Sequence, residues 1–298
     1  MKIQAGSTTL EVEVHGPDSG EPLLLIMGLG MQLIAWREGL VEQLVARGFR
    51  VIRFDNRDVG LSQRFDHLGT PNLMWQTLRF LARLPVQAPY TLRELAADTV
   101  ALLDALGIAK AHVCGASMGG MIAQRVAADH PSRVKSLTLM MTTSGARHLP
   151  QPTRAARAAL LARPASPTAD AVLDHYVRLF RVIGSPGYPA PEEELRATLR
   201  RSLDRGGLKS GPGVARQLVA IAADGDRTPL LGRIAVPTQI IHGQADPLVP
   251  LACGVQLSQA IKGAQFDAVE GMGHDLPAPL WPLFADRIEQ AARRASPP

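Results

Sequence analysis

The sequence predicts an α/β fold, in which helices cover both faces of a mostly parallel central sheet. Short apolar runs of strand length alternate with stretches of helical periodicity as far as residue 141, and this alternation returns after residue 232. Hydrophobic residues make up 46% and charged residues 20% of the 298 residues. This composition is typical of a globular protein with a substantial core.

Each predicted element has its own local pattern. Residues 8–14 alternate apolar and polar side chains, whereas 23–27 is a continuous apolar run, as in a strand covered on both faces. Thr91 and Glu94 form a capping-box pattern at the start of a helix that Gly107 closes. The predicted strands are 8–14, 23–27, 51–54, 111–114, 134–141, 236–241 and 264–269, and the predicted helices are 36–47, 91–106, 118–129, 251–260 and 280–293.

The alternation breaks between residues 142 and 232, where helical patterns occur without a convincing strand. This break predicts a core of residues 1–141 and 233–298 and a helical cap or lid insertion of residues 142–232 above the carboxyl ends of the strands. The insertion is rich in arginine, with 14 basic and 8 acidic residues between Arg147 and Arg233. A second insertion, 72–89, contains an apolar cluster.

Composition excludes several classes of protein. Two cysteines cannot form a disulfide scaffold and indicate a reducing compartment. The N-terminus lacks the apolar core of a signal peptide, and the longest apolar stretch is too short to span a bilayer. Because aromatic residues are only 4% and the arginines are scattered, the pI of about 9.6 does not indicate a nucleic-acid partner. We expect a cytoplasmic protein without a membrane span; homo-oligomerisation stays open.

The motif Gly115-Ala116-Ser117-Met118-Gly119 lies between a predicted buried strand and a predicted helix. A serine at this point needs a tight turn for its hydroxyl to project from the sheet edge. The positions two before and two after it then crowd together, so both require glycine. This context, more than the pattern itself, indicates a nucleophilic serine.

A serine hydroxyl needs a base to take its proton, and the base needs an acid that orients it. In this architecture both should follow the serine, acid first, each after a strand. Asp246 and His274 fit that order. His242 ends its own strand and is expected to hydrogen-bond locally, and Asp275 adjoins His274 too closely to orient its ring.

The sequence contains no pattern for a metal or a cofactor. There are no Cys/His pairs at ligand spacing, and the glycines near residue 28 are not followed by a third glycine at dinucleotide-binding spacing. Cys114 is interpreted as a buried small hydrophobic residue. We therefore expect a reaction without cofactor.

With these motifs the chain resembles the α/β-hydrolase fold superfamily, and within it the lipase/carboxylesterase branch that includes the aclacinomycin methylesterase-like enzymes. The resemblance is carried by LIMGLGM at 25–31 with Trp36, by FDNRDVGLS at 54–62, and by the serine motif. It implies that the backbone N–H groups of Leu29 and Met118 bind the oxyanion. Met27 stands where the family usually has His, and Asp58 where it usually has Gly.

The resulting hypothesis is a serine hydrolase that cleaves carboxylic esters of small to medium hydrophobic substrates. The apolar insertion 72–89 and methionines near the motifs favour a hydrophobic acyl group. Three alternatives use the same fold: a carbon–carbon bond hydrolase, a non-catalytic receptor for a hydrophobic ligand, and an amidase or iminopeptidase whose cap would hold the substrate amine through acidic groups, for which Glu192-Glu193-Glu194 and Asp224/Asp226 are available.

Overall fold

The computed structural model describes residues 1–208 and 211–295, so residues 209–210 of the predicted cap and 296–298 of the predicted core lie outside it. The strands are β1 (Lys2–Ala5), β2 (Thr8–His15), β3 (Glu21–Ile26), β4 (Phe49–Phe54), β5 (Ala111–Ala116), β6 (Val134–Met140), β7 (Thr238–Gly243) and β8 (Gln265–Val269). The helices are α1 (Glu38–Ala46), α2 (Leu73–Leu81), α3 (Leu92–Ala105), α4 (Met118–Asp129), α5 (Arg154–Leu161), α6 (Ala169–Ile183), α7 (Glu192–Gly206), α8 (Pro212–Asp224), α9 (Thr228–Leu231), α10 (Leu251–Ala260) and α11 (Trp281–Ala295).

The eight strands form one sheet in the order β1-β2-β4-β3-β5-β6-β7-β8. β1 and β2 pair antiparallel, as do β2 and β4, and every other neighbouring pair is parallel. The predicted α/β class with a mostly parallel sheet is therefore confirmed. The carboxyl ends of β3, β5, β7 and β8 meet at one edge of the sheet, where ligands bind in open α/β folds.

The core has a layer on each face of the sheet. Along β3, Leu24 and Ile26 pack on the side of α3 and α4, whereas Leu23 and Leu25 pack on the side of α1 and α11. This alternation explains why β3 is an uninterrupted apolar run in the sequence, since both of its faces are covered.

Some boundaries differ from those predicted. The capping box at Thr91 and Glu94 is present, with reciprocal bonds between side chains and backbone. The helix predicted at 36–47 begins only at Glu38, because Arg37 is extended and Trp36 is fully buried before it. The four-residue edge strand β1 was not predicted, since it is too short to show periodicity. Helices α5 to α9, without a strand among the described residues, separate β6 from β7.

Candidate active site

Ser117 lies on the turn between β5 and α4 in a left-handed backbone conformation, with φ 54° and ψ −120°. A side chain rarely adopts this conformation unless its surroundings enforce it. A Cβ on Gly115 would lie 2.2 Å from the carbonyl oxygen of Gly119, and a Cβ on Gly119 would lie 2.0 Å from that of Ile26. Only glycine fits at both positions.

A chain of hydrogen bonds connects Ser117 to the loops after β7 and β8. The distance from Ser117 Oγ to His274 Nε2 is 3.0 Å, and that from His274 Nδ1 to Asp246 Oδ2 is 2.7 Å. The other carboxylate oxygen of Asp246 accepts 2.8 Å bonds from the backbone N–H groups of Leu248 and Val249. The structure thus places Ser117, His274 and Asp246 within hydrogen-bonding distance in the order that the sequence analysis expected.

The loop that carries His274 is held by the end of α6. The backbone N–H of His274 donates to the carbonyl of Ile183 over 2.7 Å, and that of Gly273 donates to Ser185 Oγ over 2.9 Å. The Ser185 hydroxyl in turn donates to the carboxylate of Asp275, whose pKa is raised by burial. Asp275 therefore binds Ser185 and not the ring of His274.

The two N–H groups predicted for the oxyanion lie on either side of Ser117. Met118 is the first residue of α4, so its N–H belongs to the positive end of the helix dipole. Leu29 follows Gly28, where a Cβ would lie 3.1 Å from that of Ser117. Within residues 1–208 and 211–295, neither N–H donates to a protein acceptor.

Side chains from two regions hold the loop that contains Leu29. Asn56, after β4, donates through Nδ2 to the carbonyl of Met27 over 3.0 Å. Gln217 of α8 accepts a 2.9 Å bond from the N–H of Gly30 and donates over 2.9 Å to the carbonyl of Arg57. Gln217 is completely buried. Sequence reasoning missed it, because α8 carries no motif and only the folded chain brings it to this loop.

Asp58 connects the loop after β4 to α8. Its carboxylate accepts bonds of 2.7 and 2.8 Å from the guanidinium of Arg216, and further 2.8 Å bonds from Tyr90 Oη and the N–H of Phe65. Burial opposes the charged form of Asp58, but these donors outweigh it and hold its pKa below the usual range. Asp58 also has a positive φ of 68°, at a position where the related pattern usually has glycine. The sequence analysis did not predict Arg216 as the partner of Asp58.

The alternatives to these residues make other contacts. His242 Nε2 lies 2.7 Å from the carbonyl of Val249, and burial lowers the pKa of His242. Cys114 is completely buried, which raises the pKa of its thiol. Five of the six methionines near the motifs are buried in the core, which weakens their use as evidence for a substrate pocket; the buried ones are Met27, Met118, Met140, Met141 and Met272, and Met31 is half-buried.

The part of the chain that the structure describes contains neither a metal-binding cluster nor a membrane-spanning helix. No three His, Cys, Asp or Glu residues there are grouped closely enough to hold a metal ion. None of the described helices combines the length and the apolar character required to cross a bilayer.

Comparison with known proteins gives matches along most of the chain. The sequence profile of the α/β-hydrolase fold family matches residues 21–277. Rhodomycin D methylesterase DauP from Streptomyces sp. (strain C5) is 31% identical, and the alignment covers 99% of this chain and 98% of that protein. The putative carbamate hydrolase RutD from Variovorax paradoxus is 30% identical, with 89% of each chain covered.

Solved structures show the same architecture. The meta-cleavage product hydrolase CumD from Pseudomonas fluorescens IP01 superimposes with a TM-score of 0.75 at 22% identity, covering 99% of this chain and 98% of the other. A thermophilic esterase from Thermogutta terrifontis gives a TM-score of 0.69 at 23% identity, covering 99% and 98%. The sheet, the position of the serine turn and these matches together show that the chain belongs to the α/β-hydrolase fold family.

Proposed function

We propose that this protein is a serine hydrolase that cleaves carboxylic esters through an acyl-enzyme. The observation that supports it most is the hydrogen-bonded series of Ser117, His274 and Asp246, with the serine on a strained turn. In this geometry a neutral His274 carries its proton on Nδ1, facing Asp246, and leaves Nε2 free to accept the serine proton.

The first half of the reaction acylates Ser117. Its Oγ attacks the carbonyl carbon while the hydroxyl proton passes to His274 Nε2. The carbonyl oxygen becomes an oxyanion that accepts hydrogen bonds from the N–H groups of Leu29 and Met118. When the tetrahedral intermediate collapses, the ester C–O bond breaks and the leaving alcohol takes the proton from His274.

The second half releases the acid. Water gives a proton to His274 Nε2 and attacks the acyl carbon, and a second oxyanion forms between Leu29 and Met118. Its collapse breaks the bond to Ser117 Oγ, which regains the proton. Atoms and charge balance without a cofactor. Asp246 stays ionised throughout and stabilises the imidazolium of His274.

For the substrate we propose an ester with a small to medium hydrophobic acyl group, methyl esters included. Two of the relatives are rhodomycin D methylesterases, each about 30% identical over almost the whole chain. Two apolar side chains also lie at the proposed oxyanion loop: Leu29 itself, and Val214 of α8 beside Gly30.

We also propose that helices α5 to α9 form the cap over this site. The contacts that support it are those of Gln217 with Gly30 and of Ile183 and Ser185 with the loop of His274. The cytoplasmic location stays a prediction. The two cysteines are free, as is usual in a reducing compartment.

The iminopeptidase alternative needs a free carboxylate for the substrate amine. Glu192 pairs with Arg181 and Arg196, and Asp224 pairs with Arg125 and Arg227. Arginines neutralise these two carboxylates, whereas Glu193, Glu194 and Asp226 form no ion pair among the described residues, so the iminopeptidase alternative stays open.

The experiment compares the parent protein with Ser117→Ala and His274→Ala on p-nitrophenyl esters of increasing chain length and on aromatic methyl esters. We expect turnover by the parent and a loss of at least about 1,000-fold in both variants, since each removes a group that acts on the same proton. The chain-length optimum measures the acyl pocket. Activity that survives in Ser117→Ala contradicts the mechanism.

Absence of ester turnover in a folded parent would contradict the ester proposal. Turnover of a vinylogous 1,5-diketone would then indicate carbon–carbon bond hydrolysis. Tight binding of a hydrophobic ligand without turnover would indicate a receptor.

A further inference from the structure

Helix α2 exposes its apolar side and buries a polar residue. Met74, Trp75, Leu78 and Leu81 are 52–74% exposed, whereas Gln76 is only 9% exposed. The side-chain oxygen of Gln76 accepts a 2.9 Å bond from the backbone N–H of Gln87. A surface helix ordinarily turns its apolar face toward the core. The orientation of α2 is the reverse.

The exposed side chains form one continuous strip, which we call the α2 stripe: Met74, Trp75, Leu78 and Leu81. Positions 74, 78 and 81 are spaced four and three residues apart, so their side chains lie above one another on the same face of the helix. Leu84, just beyond the helix, is 51% exposed. Large apolar side chains grouped in this way mark contact with an apolar partner.

The surroundings of the stripe are basic. Residues 67–93 contain three arginines and no Asp or Glu. The guanidinium of Arg79 donates to the backbone carbonyl of Pro85 over 2.7 Å, and Arg83 is exposed. Among the described residues, neither guanidinium is paired with a carboxylate.

A second acid-free segment lies beside α2. Residues 142–169 contain four arginines and no Asp or Glu. The guanidinium of Arg147 lies over the ring of Phe80 in α2, 4.7 Å from its centroid. The two segments therefore meet at Arg147 and Phe80, and neither segment supplies a carboxylate to the arginines beside the stripe.

We propose that the α2 stripe docks this protein onto an anionic lipid bilayer surface. A short helix with Trp and Leu on one side and arginines at its margins suits the interface between headgroups and acyl chains. Anionic headgroups would neutralise the arginines. A second copy of this chain is a poorer partner, since it would place the same uncompensated arginines opposite each other.

The test is flotation of the purified protein with vesicles of phosphatidylcholine alone or with added phosphatidylglycerol. We expect binding only to the anionic vesicles, weakened by salt. Trp75→Ser/Leu78→Ser/Leu81→Ser removes the stripe without touching the core and should abolish binding. Val182→Ser, an exposed apolar residue of α6, is the matched control and should bind like the parent.

The contribution of the arginines is measured separately. Arg79→Gln and Arg83→Gln should each lower partitioning onto anionic vesicles by about fivefold. The proposal is overturned if the folded parent stays in solution with anionic vesicles, or if the triple variant binds as well as the parent. A dimer that forms without vesicles and dissociates in the triple variant would also overturn it, in favour of self-association. None of these readouts requires ester turnover, so they are independent of the proposed reaction.

Discussion

At the scale of single residues, the site depends on backbone atoms that approach each other where a side chain would not fit. Ser117 has its strained conformation on a tightly packed turn. The carbonyl groups of Gly119 and Ile26 lie where Cβ atoms on Gly115 and Gly119 would be, so the backbone can pack this closely only with glycine at both positions. The hydroxyl therefore reaches His274 through the shape of the main chain. Substitutions that add one carbon atom here test this directly.

We expect Gly119→Ala to lower the free energy of unfolding by about 1–3 kcal/mol or more, because the added Cβ would lie 2.0 Å from the Ile26 carbonyl oxygen. Gly232→Ala is the matched control, since its φ is −64° and, apart from its two chain neighbours, no described residue has a heavy atom within 4 Å of the added Cβ. Urea unfolding followed by circular dichroism measures both. Equal stability of the two variants would contradict the packing argument.

Gln217 provides a second test at this scale, because it contacts the proposed oxyanion loop but none of the proposed reacting atoms. Gln217→Leu removes both of its bonds to Gly30 and Arg57 and should lower kcat by about 10- to 100-fold with little change in KM. Gln239→Leu is the control: Gln239 of β7 is equally buried, but it bonds to Asp267 of β8 and not to the loop after β3. A similar fall of kcat in both variants would contradict a positioning role for Gln217.

His112 of β5 should make stability depend on pH. Burial foremost, and Lys135 next, lower its pKa from 6.5 to about 4. The native state therefore binds fewer protons than the unfolded chain between these values, so stability is full above pH 6.5 and falls toward pH 4.

We expect the parent to lose about 2–3 kcal/mol more than His112→Gln between about pH 7 and about pH 4.5. Urea unfolding at several pH values measures the difference. Parallel curves for the two proteins would show that His112 does not titrate in this range.

At the scale of elements, the buried pair of Asp58 and Arg216 joins α8 to the loop after β4. Both side chains are completely buried, so removing one leaves an uncompensated charge. The positive φ of Asp58 would suit glycine, the residue usual at this position in the related pattern.

Arg216→Met should therefore lower the free energy of unfolding by about 3–5 kcal/mol. The double variant Asp58→Gly/Arg216→Met should recover much of this loss, because it removes both charges and relaxes the backbone. A double-mutant cycle by urea unfolding measures the coupling. Additive losses would contradict the assignment of a buried ion pair.

The elements themselves were largely predictable, because their signals are local. The strand at β3 is a continuous apolar run, and α3 begins with a capping box. β1 is four residues long, and the first two residues predicted for α1 are extended or buried in the loop before it. Such details depend on the packing of neighbours, to which periodicity is insensitive.

At the scale of the whole molecule, the helices between β6 and β7 are tied to the core at separate points. Arg205 of α7 donates to the buried carboxylate of Asp55 over 2.6 Å. Gln217 of α8 binds the loop after β3, and Ser185 after α6 binds the loop after β8. These contacts place the proposed cap in direct connection with both sides of the proposed active site.

The sequence predicts the residues at strand ends but not those in this helical segment. Ser117, Asp246 and His274 follow the parallel strands β5, β7 and β8 in an order typical of the fold, so topology alone brings them to one edge. Gln217 and Ser185 reach the site only through the packing of helices whose arrangement no motif encodes. Their roles are visible only in the folded chain.

The most direct test of the proposed mechanism is covalent trapping with a fluorophosphonate, followed by intact-mass measurement and peptide mapping. We predict one phosphonyl group per chain, on the peptide that contains Ser117. No label should form in Ser117→Ala, and labelling should be much slower in His274→Ala. A label on another residue, or none on the folded parent, would contradict the assignment of Ser117 as the nucleophile.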